Sequence, residues 1–328
     1  MLVDRFGRRH EALRISVTDR CNIRCFYCMP AEGVQFLPRE RVLTYEEIAK
    51  LSEVFVSMGV HKIRLTGGEP LVRRDLPVLI RQLKSIDGVT DLALTTNGLL
   101  LADQAESLFS AGLSRLNVSL DSLRADVFQQ IARYDGLSKV LSGIEAAQRA
   151  GFTGIRINAV SIRGLTESDV LPLAEFCKER GLALRFIEYM PLDADQHWTN
   201  SQVLSGRQVL SILESRMGPL IPLPRTDPSQ PAVDYEYADG AGVVGFINSV
   251  SEPFCGDCNR LRLTADGQLR NCLFSTVEWN LKDALRSGAS DEQLRSLIRE
   301  AVAAKAAGHG INDPRFIRPE RAMYQIGG

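Results

Sequence analysis

The sequence predicts an α/β fold, a partial TIM-type barrel of six βα units followed by a C-terminal extension. Three observations carry that prediction. Short apolar or β-branched runs recur at 13–18, 63–66, 92–96, 116–120, 155–162 and 182–187, each roughly one βα unit from the next. Helical patterns with their own start and stop signals lie between these runs, which implies parallel strands with helices outside. Polar or small residues crowd the C-terminal ends of the runs, where a barrel of this type places its active site.

Taken in order, the first run leads directly into three cysteines. Thr44 with Glu47 three residues later forms a capping box ahead of Ile48, Leu51, Val54 and Phe55, which share one helical face, and Gly59 marks the stop. Asp75 is placed to cap a second helix through Leu79, Ile80 and Leu83, and 137–150 reads as another helix that ends at Gly151. The strand ends carry Thr18-Asp19, Thr66-Gly67-Gly68-Glu69, Thr95-Thr96-Asn97-Gly98, Ser119-Leu120-Asp121 and Glu188-Tyr189-Met190. Turn chemistry explains any one of these, whereas their recurrence points to a lined barrel mouth. After Met217 the stretch 218–231 is too rich in proline for a helix or a central strand and reads as a connection. Strand-like runs at 243–250 and 261–264 and an Ala/Leu-rich helix at 291–307 follow. The chain thus divides into 1–217, the barrel, and 218–328, the extension.

With 328 residues, 45% hydrophobic and 24% charged, the chain has the composition of an ordinary globular protein with a sizeable core. Its formal net charge of -1 supplies no global field to recruit nucleic acid or acidic membranes, so any anion must be caught by a local arginine cluster. The basic N-terminal residues have no apolar stretch behind them, which argues against a signal peptide, and no run approaches the ~18 apolar residues of a membrane span. A cytoplasmic protein with reduced or metal-bound cysteines is expected.

Cys21-x3-Cys25-x2-Cys28 places three thiols in one short loop after the first strand. Three thiolates hold three corners of a [4Fe-4S] cubane and leave the fourth iron open to substrate or cofactor. A structural zinc knot is the alternative, but zinc favours four closed ligands, and the nearest histidine, His10, sits outside the run. Disulfides fit poorly, because three is odd and a reducing compartment is expected. Cys255, Cys258 and Cys272 form a second set of three. Its zinc alternative requires a distant His or Cys177, yet Cys177 shares a helical face with Leu173 and Phe176 and reads as a buried core thiol. Arg260 and Arg262 lie between Cys258 and Cys272 of the second set with period-two spacing. Isolated, such a pair is usually a solvated strand face; beside a ligand cysteine, paired guanidiniums match phosphate oxygens.

The three-cysteine motif with Tyr27 before its last cysteine resembles that of the radical S-adenosylmethionine (SAM) enzymes. Within them, the chain is similar over nearly its full length to the GTP 3',8-cyclase family, which opens molybdenum cofactor biosynthesis. The residues that carry the resemblance are 13–28, 63–70, 95–98, 117–122, 185–190, 254–262 and the terminal Gly327-Gly328. It implies two [4Fe-4S] clusters, one held by Cys21, Cys25 and Cys28 with its open iron on SAM, the other by Cys255, Cys258 and Cys272 with its open iron on the guanine edge. It also implies SAM contacts from Tyr27, Gly68, Ser119 and Met190, and GTP contacts from Arg14, Arg64, Thr95, Arg156 and the segment Arg260, Leu261, Arg262. Lys62 is a further candidate. At position 156 the chain has Arg where the family has lysine, which keeps the charge but changes its geometry. No side-chain general acid or base is identified.

The resemblance further implies an external electron donor, hydrogen abstraction from the ribose 3' carbon, closure onto guanine C8, and delivery of the product to the next enzyme, cyclic pyranopterin monophosphate synthase. A homodimer is compatible with it. The Gly-Gly end is either a frayed tail or a segment that enters the active site. Two other readings stay open at this stage: a different radical SAM enzyme with an auxiliary cluster, and a non-enzymatic iron-sulfur or zinc protein.

Overall fold

The computed structural model describes residues 1–327. Six parallel βα units appear in the predicted order: β1 (Ala12–Ser16) with α1 (Tyr45–Ser57), β2 (Lys62–Thr66) with α2 (Leu76–Lys84), β3 (Asp91–Thr96) with α3 (Leu101–Ser110), β4 (Arg115–Ser119) with α4 (Ala125–Ala132) and α5 (Leu137–Arg149), β5 (Ile155–Ser161) with α6 (Val170–Glu179), and β6 (Ala183–Glu188) with α7 (Gly206–Met217). The Thr44–Glu47 capping box forms in both directions, at 3.2 and 2.8 Å. Gly59 and Gly151 take positive φ just beyond α1 and α5, a conformation that costs glycine little. Asp75 departs from expectation. It precedes α2 in a left-handed conformation and makes no side-chain cap.

The remaining chain does not form a sheet of its own. It adds β7 (Leu220–Pro222), β8 (Val233–Tyr237), β9 (Val243–Ile247), β10 (Arg260–Leu263), β11 (Gln268–Arg270) and β12 (Trp279–Asn280), then α8 (Leu281–Arg286), α9 (Asp291–Ala303) and α10 (Met323–Ile326). One twelve-stranded sheet runs β12-β11-β10-β1-β2-β3-β4-β5-β6-β9-β8-β7. β10 joins β1 in parallel and β9 joins β6 in parallel, so the arc from β10 to β9 is parallel throughout, with short antiparallel strands at each edge. Pro222 lies in the terminal strand β7, where a missing backbone donor is tolerated.

The main hydrophobic core extends from Leu2 to Val302 and includes residues from both sides of position 217, with two small clusters beside it around Met29 and around Leu192. Cys177 is buried within it on α6, as its helical neighbours indicate. The last long helix stops at Ala303, with Ala304 as its cap, rather than continuing to 307. The carbonyls of Ala306 and Ala307 are instead taken by the Arg8 guanidinium at 2.7 and 3.0 Å, which turns the chain away from the helix axis. Among the described residues no helix is long and apolar enough to cross a membrane.

Candidate functional site

Parallel register sets the interior of the arc. Arg14 on β1 lies opposite Arg64 on β2 and opposite Arg262 on β10, so three guanidiniums from three strands stand side by side. Alternation sends the residues between them the other way, and Leu261 is fully buried in the core. Of the expected substrate residues, Leu261 alone does not reach the cavity, because a strand cannot present three consecutive side chains to one face. Arg115, Arg156 and Arg185 extend the positive lining across β4, β5 and β6.

These arginines and both cysteine sets line one cavity of about 550 Å³, within the range of about 300–1,000 Å³ typical of small-molecule sites. At one end lie Cys21, Cys25 and Cys28 with Tyr27, Gly68, Ser119 and Met190. At the other lie Cys255, Cys258 and Cys272 with Arg260 and Arg262. Arg14, Arg64, Thr95 and Arg156 also face it. Every residue expected to hold a cluster or SAM is therefore on this surface. Lys62 lines it too, and its ammonium pairs with Asp227 at 2.5 Å.

The first cysteine loop is braced from three sides. The Gly68 and Glu69 amides donate to the carbonyls of Thr18 and Arg20, both at 2.7 Å. Glu69, 1% exposed, accepts from Leu71 N–H, Thr96 Oγ1 and Asn97 N–H at 3.0, 2.7 and 2.6 Å. Burial nevertheless raises its carboxyl to about 7. Asn97 then donates to Asn22 Oδ1 at 2.7 Å and to Cys21 Sγ at 3.7 Å. On the far side Arg24 and Phe26 hang from the last carbonyls of α4, and Tyr27 donates its hydroxyl to Asp121 at 2.6 Å. Asp121 also accepts from Val160 N–H at 2.7 Å, and burial lifts its carboxyl to about 6.

The donor chemistry at both ends suits iron-sulfur clusters. All six thiols are free and half-buried. Burial holds Cys25 and Cys28 well above the usual range, reinforced at Cys25 by Asp121 and the neighbouring thiols and at Cys28 by Cys21, and with Glu69 it holds Cys21 near 11, so this set ionises when a cation takes the protons' place. Among the described residues no three Cys, His, Asp or Glu side chains converge on one metal ion. In a cubane each thiolate binds a different iron, and each set supplies three thiols to the cavity lining. His309, close to the second set, is no spare ligand. One ring nitrogen lies 3.1 Å from the Ser249 carbonyl and the other accepts from Ile311 N–H at 3.1 Å. In that set burial alone would raise Cys258, yet the cations of Arg260 and Lys305 outweigh it and bring the thiol to about 6.

Positive charge between the two ends is only partly compensated. Asp91 pairs with Arg115 and Asp234 with Arg185, while among the described residues Arg14, Arg64 and Arg156 have no carboxylate partner. Burial, reinforced by the other arginines, pushes Arg14 and Arg64 well below the ordinary guanidinium range, Arg156 to about 10 and Arg262 to about 9. Such a ring binds a polyanion. Arg262 also donates to the carbonyl of Gly327, which brings the C-terminal segment to the wall of the cavity. A Cβ on Gly327 would lie 2.6 Å from Thr66 Oγ1. Gly328 lies outside the described residues.

Sequence reasoning missed Asp121, Arg115, Arg185 and Lys305 as site residues. The two arginines carried a signal, since Arg185 falls on a predicted strand and Arg115 immediately precedes one, each in phase with the inward face. Asp121 was visible as a strand-end carboxylate without a role. Lys305 sits in an Ala-rich tract that offers none.

The Radical SAM superfamily model matches residues 15–177, and the Molybdenum Cofactor Synthesis C model matches residues 182–311. A GTP 3',8-cyclase of Rhodopirellula baltica is 56% identical over all of this chain and 92% of its own length. Those of Corynebacterium glutamicum and Pelotomaculum thermopropionicum are each 46% identical, over 100% and 99% of this chain and 89% and 99% of their own. In fold, the chain resembles anSMEcpe with bound AdoMet (TM-score 0.60, 15% identity, 92% of this chain and 79% of that one) and methylornithine synthase (TM-score 0.53, 16% identity, 92% and 85%).

Gly68 has no room for a side chain, because a Cβ there would fall 2.4 Å from the Arg20 carbonyl oxygen. Overpacking of this kind costs about 1–3 kcal/mol. Gly68→Ala is expected to displace the cysteine loop and weaken SAM binding to the reconstituted protein by about 5- to 150-fold. Calorimetric titration checks this, and an unchanged affinity would refute it.

Proposed function

The chain belongs to the GTP 3',8-cyclase family of radical SAM enzymes, and from that membership we infer that it converts GTP to 3',8-cyclo-7,8-dihydro-GTP, the first step of molybdenum cofactor biosynthesis. It is accordingly an enzyme of the lyase class. The observation that carries the reading to this chain is the single cavity with three cysteines at each end and arginines between. When bound and reduced by an external electron donor, SAM on a [4Fe-4S] cluster supplies a 5'-deoxyadenosyl radical able to take a ribose hydrogen.

The residues of the chain do the positioning. Cys21, Cys25 and Cys28 hold the SAM cluster, and Tyr27, Gly68, Ser119 and Met190 form the SAM surface. Cys255, Cys258 and Cys272 would hold a second [4Fe-4S] cluster, which would offer an open iron to the purine. Arg14, Arg64, Arg156, Arg260 and Arg262, with Thr95, hold the rest of the nucleotide. The arginines lacking carboxylate partners support this assignment, since a triphosphate brings the negative charge they need. Arg156 keeps a cation where lysine stands elsewhere in the family, with a planar fork suited to two phosphate oxygens. Holding both ends of GTP fixes the ribose 3' carbon toward SAM and so lowers the entropic part of the barrier. In this reading 1–217 and 218–328 divide labour within one sheet, the first serving SAM and the second the purine.

Arg262 meets both substrate and tail. Losing a charge-assisted contact costs about 1.5–3 kcal/mol, so Arg262→Ala is expected to weaken GTP binding about 10- to 150-fold with both clusters assembled; unchanged affinity would count against the pocket. Deleting Gly327 and Gly328 instead should leave GTP bound and abolish product, and normal turnover would show that the tail is only a tail.

The functional reading itself is tested by 5'-deoxyadenosine formation from SAM with anaerobically reconstituted, reduced protein. Strong dependence on GTP is the expected result. Formation indifferent to GTP would remove the substrate assignment, and none at all with clusters intact would favour a redox or binding protein.

A further inference from the structure

Lys305 is a buried ammonium that the cyclisation itself leaves without a task. It is 3% exposed, and full burial of a lysine is costly unless its donors are matched. Its Nζ donates to the Arg260 carbonyl at 2.9 Å, the Asn271 carbonyl at 2.7 Å and the Cys258 sulfur at 3.7 Å. Three N–H donors meet three acceptors, and none of the acceptors is a carboxylate. The one that carries charge when ionised is the thiol.

These acceptors lie on both halves of the second cysteine set. Arg260 is two residues from Cys258, and Asn271 immediately precedes Cys272. The remaining ligand, Cys255, is fastened by a different cation, which also grips the stretch of chain that carries Lys305. Arg8 donates to the Cys255 carbonyl at 2.7 Å and to the carbonyls of Ala306 and Ala307, next to Lys305. Asp4 holds Arg8 at 2.6 Å and lies 3.0 Å from His10, so the N-terminal arm is part of the same assembly. Asn271 also donates to the Ala301 carbonyl at 2.8 Å, which ties the Cys272 segment to α9.

We propose that Lys305 is the positioning residue of the second iron-sulfur centre, spacing Cys258 from Cys272 through the two carbonyls and donating a hydrogen bond to the Cys258 sulfur. The proposal rests on the two-cluster reading above. A cation bonded to one ligand sulfur withdraws charge from it, and hydrogen bonds to the sulfurs are among the factors that set a cluster's electronic state.

The experiment compares anaerobically reconstituted wild type, Lys305→Met and Lys305→Arg by iron content and by electron paramagnetic resonance of the reduced proteins. Wild type should hold about eight irons, as two cubanes require. Lys305→Met should hold about four and lose the signal of the second centre while keeping that of the first. Lys305→Arg keeps a buried cation and should regain most of the iron, with g-values of the second centre displaced because the donor to sulfur has changed. Eight irons and a wild-type spectrum in Lys305→Met would overturn the proposal, as would a wild-type spectrum in Lys305→Arg should the methionine variant fail to fold. Four irons in wild type would instead overturn the two-cluster reading beneath it.

Discussion

Strand β1 lies between β2 and β10, and the chemistry of the cavity follows from that placement. Parallel pairing in register, from Ala12 opposite Arg260 to Ile15 opposite Leu263, joins the first strand of the barrel to a strand near the end of the chain. It brings Arg14, Arg64 and Arg262 side by side and carries the loop of Cys21, Cys25 and Cys28 to the same space as Cys255, Cys258 and Cys272. Leu13, Ile15, Leu261 and Leu263 fix that register because their opposite faces are fully buried. A slip of one residue would send the leucines to the cavity and the arginines to the core.

The electrostatics give the arrangement its direction. Like charges packed in a buried cavity oppose folding, and the structure offsets only part of this with Asp91, Asp227 and Asp234. The unpaired arginines line the cavity, whereas the carboxyls of Glu69 and Asp121 stand near the first cysteine loop and are raised to about 7 and about 6 by burial. The site therefore differs along its length. One end has hydrogen-bonding carboxyls and thiols that ionise with difficulty. The middle and the other end are cationic, and there Cys258 ionises readily. This gradient supports the proposal that the nucleotide's phosphates lie in the cationic part.

Much of this was legible from the sequence because the signals were local. The βα rhythm, the Thr44–Glu47 box and the glycines after α1 and α5 each depend on residues close in the chain. The cysteine spacing and the Arg260–Arg262 alternation likewise needed no knowledge of tertiary contacts. What remained hidden was set at a distance. Asp75 satisfied the sequence rule for a cap, but its backbone adopts a left-handed conformation instead. The end of α9 is decided by Arg8, nearly the full length of the chain away, and Lys305 acquires its role only where two cysteine segments meet. Leu261 shows the opposite limit: it stands in a motif of contact residues, and strand alternation puts its side chain in the core.

In the proposed function one cavity holds the nucleotide between the two cysteine sets with the ribose turned to the first. The most direct test is turnover of GTP deuterated at the ribose 3' carbon, followed by mass analysis of the 5'-deoxyadenosine released. The account predicts one deuterium transferred into 5'-deoxyadenosine. Unlabelled 5'-deoxyadenosine, with the deuterium retained on the nucleotide, would contradict it.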